Sequence, residues 1–243
     1  MILLIDIGNT NTVCSIYYQK KYILHKRIDL KDNILKTLNK LDNHNIKKIA
    51  ISSVVPELTK YFIKILKTKY EIKPYVISHN NANIKLDVDD KNEVGNDRIC
   101  NVKAAIELTK KYCLVIDFGT ATTYDVINNK QEFIGGAIAP GIDVSANYLI
   151  KKAALLKNTT FKFPKNIIGK NTSTNIQSGV MFGAISSIEG MISMIQDEIG
   201  SELFIILTGG FSQLISSKLS YKHILKPNLT LDGIRLIYNE NNE

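Results

Sequence analysis

The chain opens with a short unbroken apolar run, Ile2-Leu-Leu-Ile, that ends on Asp6. A polar turn follows, and then a second apolar run, Val13 to Tyr17. Short apolar runs bounded by turn residues predict buried strands rather than helices. The same pattern returns over a hundred residues later, as Leu114-Val-Ile-Asp117-Phe-Gly119, a Thr-rich turn and Tyr124-Asp-Val-Ile127. Each copy continues with a polar turn (Gln19-Lys20-Lys21; Asn128-Asn129-Lys130), a third strand (22–28; 133–138) and a helical pattern (about 30–41; about 141–156). Further on, each half holds one more strand, turn and helix. The first is Ile49-Ala-Ile-Ser-Ser-Val-Val-Pro56 with apolar positions Leu58, Phe62, Ile65 and Leu66, and the second is Leu203-Phe-Ile-Ile-Leu-Thr208-Gly209-Gly210 followed by 211–217. The longest periodic stretch, 174–199, places Ile176, Val180, Ile185, Ile188, Ile192, Ile195 and Ile199 on a helix, with Gly179 and Gly183 leaving gaps for a close neighbour.

Strands that alternate with helices predict an α/β protein, here a duplicated one with mixed sheets. The expected lobes are residues 1–112 and 113–243, and the absence of a Pro-, Gly- or Ser-rich linker predicts a shared interface with a cleft. At 243 residues, with 44% hydrophobic and 22% charged positions, the chain can bury a sizeable core. No run of about 18 apolar residues occurs, so no membrane span is expected, and the N-terminus lacks the basic region of a secretory signal. Three cysteines without metal-ligand spacing (Cys14, Cys100, Cys113) predict buried thiols in a reduced, cytoplasmic protein.

The net charge is +8, but the lysines are scattered as pairs such as Lys20-Lys21 and Lys151-Lys152. A solvated basic surface is the expectation, and a nucleic-acid partner is not. His25, His44, His79 and His223 stand apart from one another, and residues 239–243 read as a frayed tail. No P-loop and no Ser-His-Asp arrangement is present.

Candidate chemistry sits in the turns. In Asp6-Ile-Gly8-Asn9-Thr10-Asn11-Thr12, bare glycine backbone and small polar side chains suit phosphate oxygens, and a strand-end carboxylate suits Mg²⁺ through water. Alone, this reads rather as a plain hairpin whose Asn and Thr satisfy the turn. The second copy, Asp117-Phe-Gly119-Thr120-Ala-Thr122-Thr123, shifts the balance toward a polyphosphate held by two hairpins. Gly209-Gly210 adds a third close-approach turn at a helix start. Gly95-Asn96-Asp97-Arg98 offers a carboxylate and a planar cation, although by itself it also fits an ion pair at a helix start.

In order along the chain, Asp-x-Gly-Asn-Thr, Ser-Ser-Val-Val-Pro, Gly-x-Asp-Arg, Asp-Phe-Gly-Thr-Ala-Thr, Gly-Gly-Ala-Ile-Ala-Pro-Gly and Gly-x-Asn-Thr resemble the type III pantothenate kinases. These belong to the acetate and sugar kinase, Hsp70 and actin superfamily, and the resemblance runs from Met1 to about Tyr238. It implies two ribonuclease-H-like α/β lobes with mixed sheets, the actin-like ATPase fold, with a nucleotide cleft between them. It implies ATP-dependent phosphorylation of (R)-pantothenate to 4′-phosphopantothenate, the first step toward coenzyme A, with Mg²⁺ and a monovalent cation, K⁺ or NH₄⁺. A homodimer is implied as well, with the long helix a candidate for its interface.

Carried onto this chain, the resemblance makes Asp6, Ile7, Gly8, Asn9, Thr10, Asn11, Thr12 and Val13 the ATP-phosphate loop, with Asp6 near Mg²⁺. Thr120 would touch ATP, and Asp117 would hold the monovalent cation. Gly95, Asn96, Asp97, Arg98 and Thr172 would bind pantothenate, with Asp97 as proton acceptor. Two positions depart from the pattern: Val88 stands where the family carries Tyr, and Asn96 stands where Ala is common. Two rivals remain, a superfamily kinase for another small hydroxyl or carboxylate acceptor and a non-catalytic ATP-binding regulator.

Overall fold

A computed structural model describes residues 1–29, 38–39, 44–152 and 160–242. Packing divides the chain into two units. The first comprises Met1–Leu108, Gln131–Phe133 and Asn228–Glu243, and the second Thr109–Lys130 and Ile134–Pro227.

In the first unit β1 (Ile2–Ile7), β2 (Asn11–Tyr18), β3 (Lys21–Asp29), β4 (Lys48–Ser53) and β5 (Tyr75–Val76) form one sheet in the order β3-β2-β1-β4-β5. β1 runs antiparallel to β2 and parallel to β4, so the sheet is mixed, as the hairpin followed by a helix crossover requires. Leu3, Leu4, Ile5 and Ile7 are wholly buried because β1 is central and covered on both faces. One face packs Phe62 and Leu66 of α1 (Pro56–Tyr70) against Leu3, Ile5, Ile7 and Ile16. α2 (Asn96–Ile106) and α6 (Leu229–Asn242) pack tightly on each other and against β4.

The second unit repeats the plan. β6 (Cys113–Phe118), β7 (Ala121–Ile127), β8 (Phe133–Pro140), β9 (Phe204–Gly209) and β10 (His223–Leu225) lie in the order β10-β9-β6-β7-β8. β6 is antiparallel to β7 and parallel to β9, as β1 is to β2 and β4. α3 (Ile142–Lys152), α4 (Thr172–Ile199) and α5 (Ser212–Ser216) complete it, with Met181, Ile185, Ile188 and Ile192 of α4 buried against Leu114, Ile116 and Leu207. α4 starts at a capping box between Asn171 and Thr174 and stops at Gly200 in the left-handed conformation.

Two expectations change. The chain does not divide simply at 112/113, because α6 packs on α2 in the first unit. Gly233 lies so close to the Cys100 carbonyl that a side chain has no room, Lys103 Nζ pairs with Glu240 Oε1 at 2.5 Å, and Thr230 Oγ1 donates to Asn101 Oδ1 at 2.9 Å. The tail is not frayed over 239–242, since α6 runs to Asn242 and Asn241 Nδ2 donates to the Asn81 carbonyl at 2.9 Å. By length and composition α4 could cross a membrane, the one such helix among the described residues, although its isoleucine stripe is built into the core of the second unit. The helical pattern at about 30–41 lies almost wholly outside the described residues, as does 153–156 of the pattern at 141–156.

Candidate active site

Asp6 ends β1, opposite Val13 on β2 and beside Ser52 on β4. Gly8 N–H donates to the Asn11 carbonyl at 3.0 Å, which closes the turn and leaves Asn9 and Thr10 exposed at its tip. The Gly8 amide is thus committed to the turn, and the tip residues are the ones presented outward. Thr12 is fully buried and its hydroxyl meets no hydrogen-bond partner among the described residues. A buried hydroxyl without a partner is costly, and a phosphate oxygen is a group that would satisfy it.

The strand beside this hairpin leads to the second element of the site. Val54 N–H extends the ladder to the Ile7 carbonyl at 3.1 Å, and Ser53 Oγ accepts from Val55 N–H at 3.1 Å and from Thr59 Oγ1 at 2.6 Å before Pro56 starts α1. Asn96 Nδ2 donates to the Ser53 carbonyl at 2.9 Å. Asn96 therefore ties the start of α2 to the end of β4.

Asp97 lies in the first turn of α2, where the helix dipole favours a carboxylate. Its Oδ1 accepts from the Arg98 backbone N–H at 2.7 Å. Burial pushes its pKa above the usual carboxylate range, while that hydrogen bond and the Arg98 charge hold the rise back. A carboxylate whose affinity for a proton is raised in this way is suited to accepting one. Gly95 leaves space for it, since a Cβ there would stand 2.6 Å from Asp97 Oδ1.

The Cys100 thiol, one turn further on, is pushed well above its ordinary range by burial, then by the negative charge of Asp6, with Asp97 adding to it. One thiol feels both carboxylates, so the fold brings Asp6 and Asp97 to the same end of the first unit. All three cysteines are buried, and the thiols of Cys14 and Cys113 are pushed up to about 12 mainly by desolvation, which suits inert packing residues. Val88 is half-buried, and the Arg98 guanidinium lies 5.4 Å from the centre of the Phe133 ring. The sequence pattern marks Phe133 only as the start of a strand. Its link to Arg98 has no local signal.

In the second unit Asp117 holds the place of Asp6, opposite Thr123 and beside Thr208. Gly119 N–H donates to the Ala121 carbonyl at 3.0 Å, so this tip carries Thr120 alone, exposed. Gly141 N–H, just before α3, donates to the Thr120 carbonyl at 3.1 Å. Gly209 has φ +87, and a Cβ there would strike Asp117 Oδ1 and stand 2.5 Å from Phe118 N, so only glycine fits. Thr172, the first residue of α4, is exposed and lines a cavity of about 660 Å³ with Pro140, Ile142, Ile176 and Gly179.

Among the described residues no three His, Cys, Asp or Glu gather to hold a metal. A single strand-end carboxylate still fits Mg²⁺, which keeps several waters and takes one or two carboxylates plus substrate phosphates. The Asp117 carboxylate lies against the Gly209 backbone, where a Cβ would collide with its Oδ1.

A family model described as type III pantothenate kinase matches residues 2–194. The chain is 38% identical to the type III pantothenate kinase of Roseiflexus sp. (strain RS-1), over 99% of both chains. It is 39% identical to that of Sulfurihydrogenibium sp. (strain YO3AOP1), over 96% of this chain and 98% of the relative. Among solved structures, a Campylobacter jejuni protein described in terms of the Baf family of transcriptional activators superposes with a TM-score of 0.65 at 21% identity, covering 98% of each chain. The (R)-2-hydroxyglutaryl-CoA dehydratase component A of Acidaminococcus fermentans gives 0.53 at 14% identity, over 96% and 94% of the two chains. At these identities the superpositions speak for the fold alone, a duplicated mixed-sheet α/β architecture, while the full-length sequence matches identify the chain as a member of the type III pantothenate kinase family.

Proposed function

We propose that this chain transfers the γ-phosphoryl group of ATP to the primary hydroxyl of (R)-pantothenate, giving (R)-4′-phosphopantothenate, the first step toward coenzyme A. The observation that carries the reading is Asp97, a carboxylate fixed at a helix start with its pKa raised by burial, in a chain related over its whole length to kinases of that name. Asp97 accepts the hydroxyl proton as the oxygen attacks phosphorus, and Arg98 holds the pantothenate carboxylate or amide oxygen. The 6–13 hairpin takes the ATP phosphates through its exposed tip and the Thr12 hydroxyl, and Thr120 touches the nucleotide. Phosphoryl transfer is usually loose, so positioning by these groups counts for more than the base itself.

Asp6 would hold Mg²⁺ together with the substrate phosphates, and Asp117 would hold K⁺ or NH₄⁺. When bound, these cations neutralise charge on the phosphates. Gly95, Asn96 and Thr172 are further candidate contacts for pantothenate. Two copies of the chain pair through the outer face of α4, where a Cβ on Gly179, Gly183 or Gly190 would meet nothing within 4 Å and where Met194 is exposed. An aqueous, cytoplasmic enzyme is the corresponding setting.

The test is mass-spectrometric analysis of purified protein with Mg·ATP and pantothenate, in K⁺ and in Na⁺ alone, beside sugars and acetate as competing acceptors. Formation of 4′-phosphopantothenate that depends on K⁺ is the expected outcome. Phosphorylation of another acceptor, or ATP binding without any product, would replace this reading with one of its rivals.

A further inference from the structure

Residues 131–133 leave the second unit and are built into the first. Phe133 N–H donates to the Lys85 carbonyl at 3.0 Å, and Asp87 N–H donates to the Phe133 carbonyl at 2.8 Å, a parallel bridge centred on Leu86. Two side-chain ties flank it. Gln131 Nε2 donates to the Ile106 carbonyl at the end of α2 at 3.1 Å, and Lys85 Nζ pairs with Glu132 Oε1 at 2.5 Å. Phe133 is 1% exposed, so its ring is enclosed by neighbouring groups. The Arg98 guanidinium carbon stands 5.4 Å from its centre, within the range of a cation–π contact. Lys85-Leu-Asp-Val-Asp-Asp90, the segment that the bridge grips, contains no aromatic residue of its own.

We infer that Phe133 is the positioning residue for Arg98: the buried ring sets where the guanidinium points, and through it the affinity for the acidic end of the acceptor. A long arginine side chain loses much rotamer freedom when it must meet a planar anion, and a fixed ring beneath it removes part of that cost before substrate arrives. The peptide that carries the ring is held by three backbone or amide hydrogen bonds to residues 85–87 and 106, so the ring is placed by the fold and not by the ligand. The inference rests on the reading of Arg98 as the pantothenate anchor.

The test is steady-state kinetics on the full chain. Phe133→Leu keeps an apolar group and removes the ring face. It should raise KM for pantothenate roughly 3- to 30-fold, the range of a partly buried cation–π contact, with KM for ATP unchanged. Phe133→Tyr should restore the value. Where Phe133→Leu folds poorly, mono-, di- and trifluorophenylalanine at 133 keep the shape and weaken the ring's negative face, and KM for pantothenate should climb with each fluorine. Arg98→Met should raise the same KM by itself and abolish any further effect of Phe133→Leu. If Arg98→Met leaves pantothenate KM unchanged, the anchor reading fails and this inference with it. If Arg98→Met acts but Phe133→Leu and the fluorinated series do not, or if ATP and pantothenate KM rise together with falling Tm, the ring is core packing only and the inference is overturned.

Discussion

In the first unit the turn closes from Gly8 to Asn11, and two exposed residues, Asn9 and Thr10, stand at its tip. In the second it closes from Gly119 to Ala121, and the single tip residue Thr120 is braced by Gly141. Both hairpins are otherwise one construction: a strand-end aspartate, an antiparallel partner on one side and a parallel strand on the other. Even the next rung matches, Val54 N–H to the Ile7 carbonyl at 3.1 Å in one and Gly210 N–H to the Phe118 carbonyl at 2.9 Å in the other. What differs is the surroundings. Asp6 shares its end of the sheet with a helix start bearing a second carboxylate, Asp97, whereas Asp117 faces bare backbone at Gly209. A duplicated frame therefore carries two different settings, a longer tip beside a second carboxylate in one copy and a braced tip beside glycine backbone in the other, and the proposed base and cation roles follow that difference.

The largest effect should come from what the first copy alone possesses. Asp97→Asn is expected to lower kcat by about 10² to 10⁴ with ATP affinity kept, measured by turnover and by nucleotide titration. Near-normal turnover would take the base role away from the first unit. Gly95→Ala should come next, because its methyl must displace a carboxylate 2.6 Å away. A misplacement of that order costs about 10²-fold in kcat, and thermal melting should move far less than turnover.

Gly233→Ala probes the packing behind the same helix. The methyl collides with the Cys100 carbonyl, so an overpacking cost of about 1–3 kcal/mol should appear as a lower Tm. An unchanged Tm would mean that α6 does not brace α2.

The pH dependence sharpens the comparison in a quieter way. Asp97 has its pKa raised in the fold, so between the usual carboxylate value and the raised one the folded chain binds a proton that the unfolded chain has lost. Across that window rising pH ionises Asp97, which turns the base on and at the same time removes a little stability. Arg98 favours the ionised form, so Arg98→Met should move the acid limb of the kcat profile to higher pH. A limb that stays in place would separate the limb from Asp97.

Much of this frame was legible in the sequence. The repeat of Asp-x-Gly between apolar runs is local, since strand pairing and turn chemistry sit in one window, and β1–β2 and β6–β7 follow directly. Asp6, Asp117 and the Thr-rich tips are legible for the same reason. What escaped depends on contacts between distant segments. α6 belongs with the first unit because of one missing Cβ at Gly233, and residues 131–133 cross into it because of a bridge to Leu86. Asn96 looks neutral beside Asp97 in the sequence, yet its amide reaches Ser53, 43 residues away. The tail at 239–242 reads as polar and frayed, because nothing local reveals that Glu240 meets Lys103.

The most direct test of two roles on one frame is to titrate Mg²⁺ and K⁺ separately against Asp6→Asn and Asp117→Asn and record turnover. A crossed pattern is expected. Asp117→Asn should lose its response to K⁺ while its Mg²⁺ requirement stays near that of the parent chain, and Asp6→Asn should need much more Mg²⁺ while K⁺ still activates it. If both variants shift in the same cation to the same degree, the two aspartates share one role and the division between the hairpins is wrong.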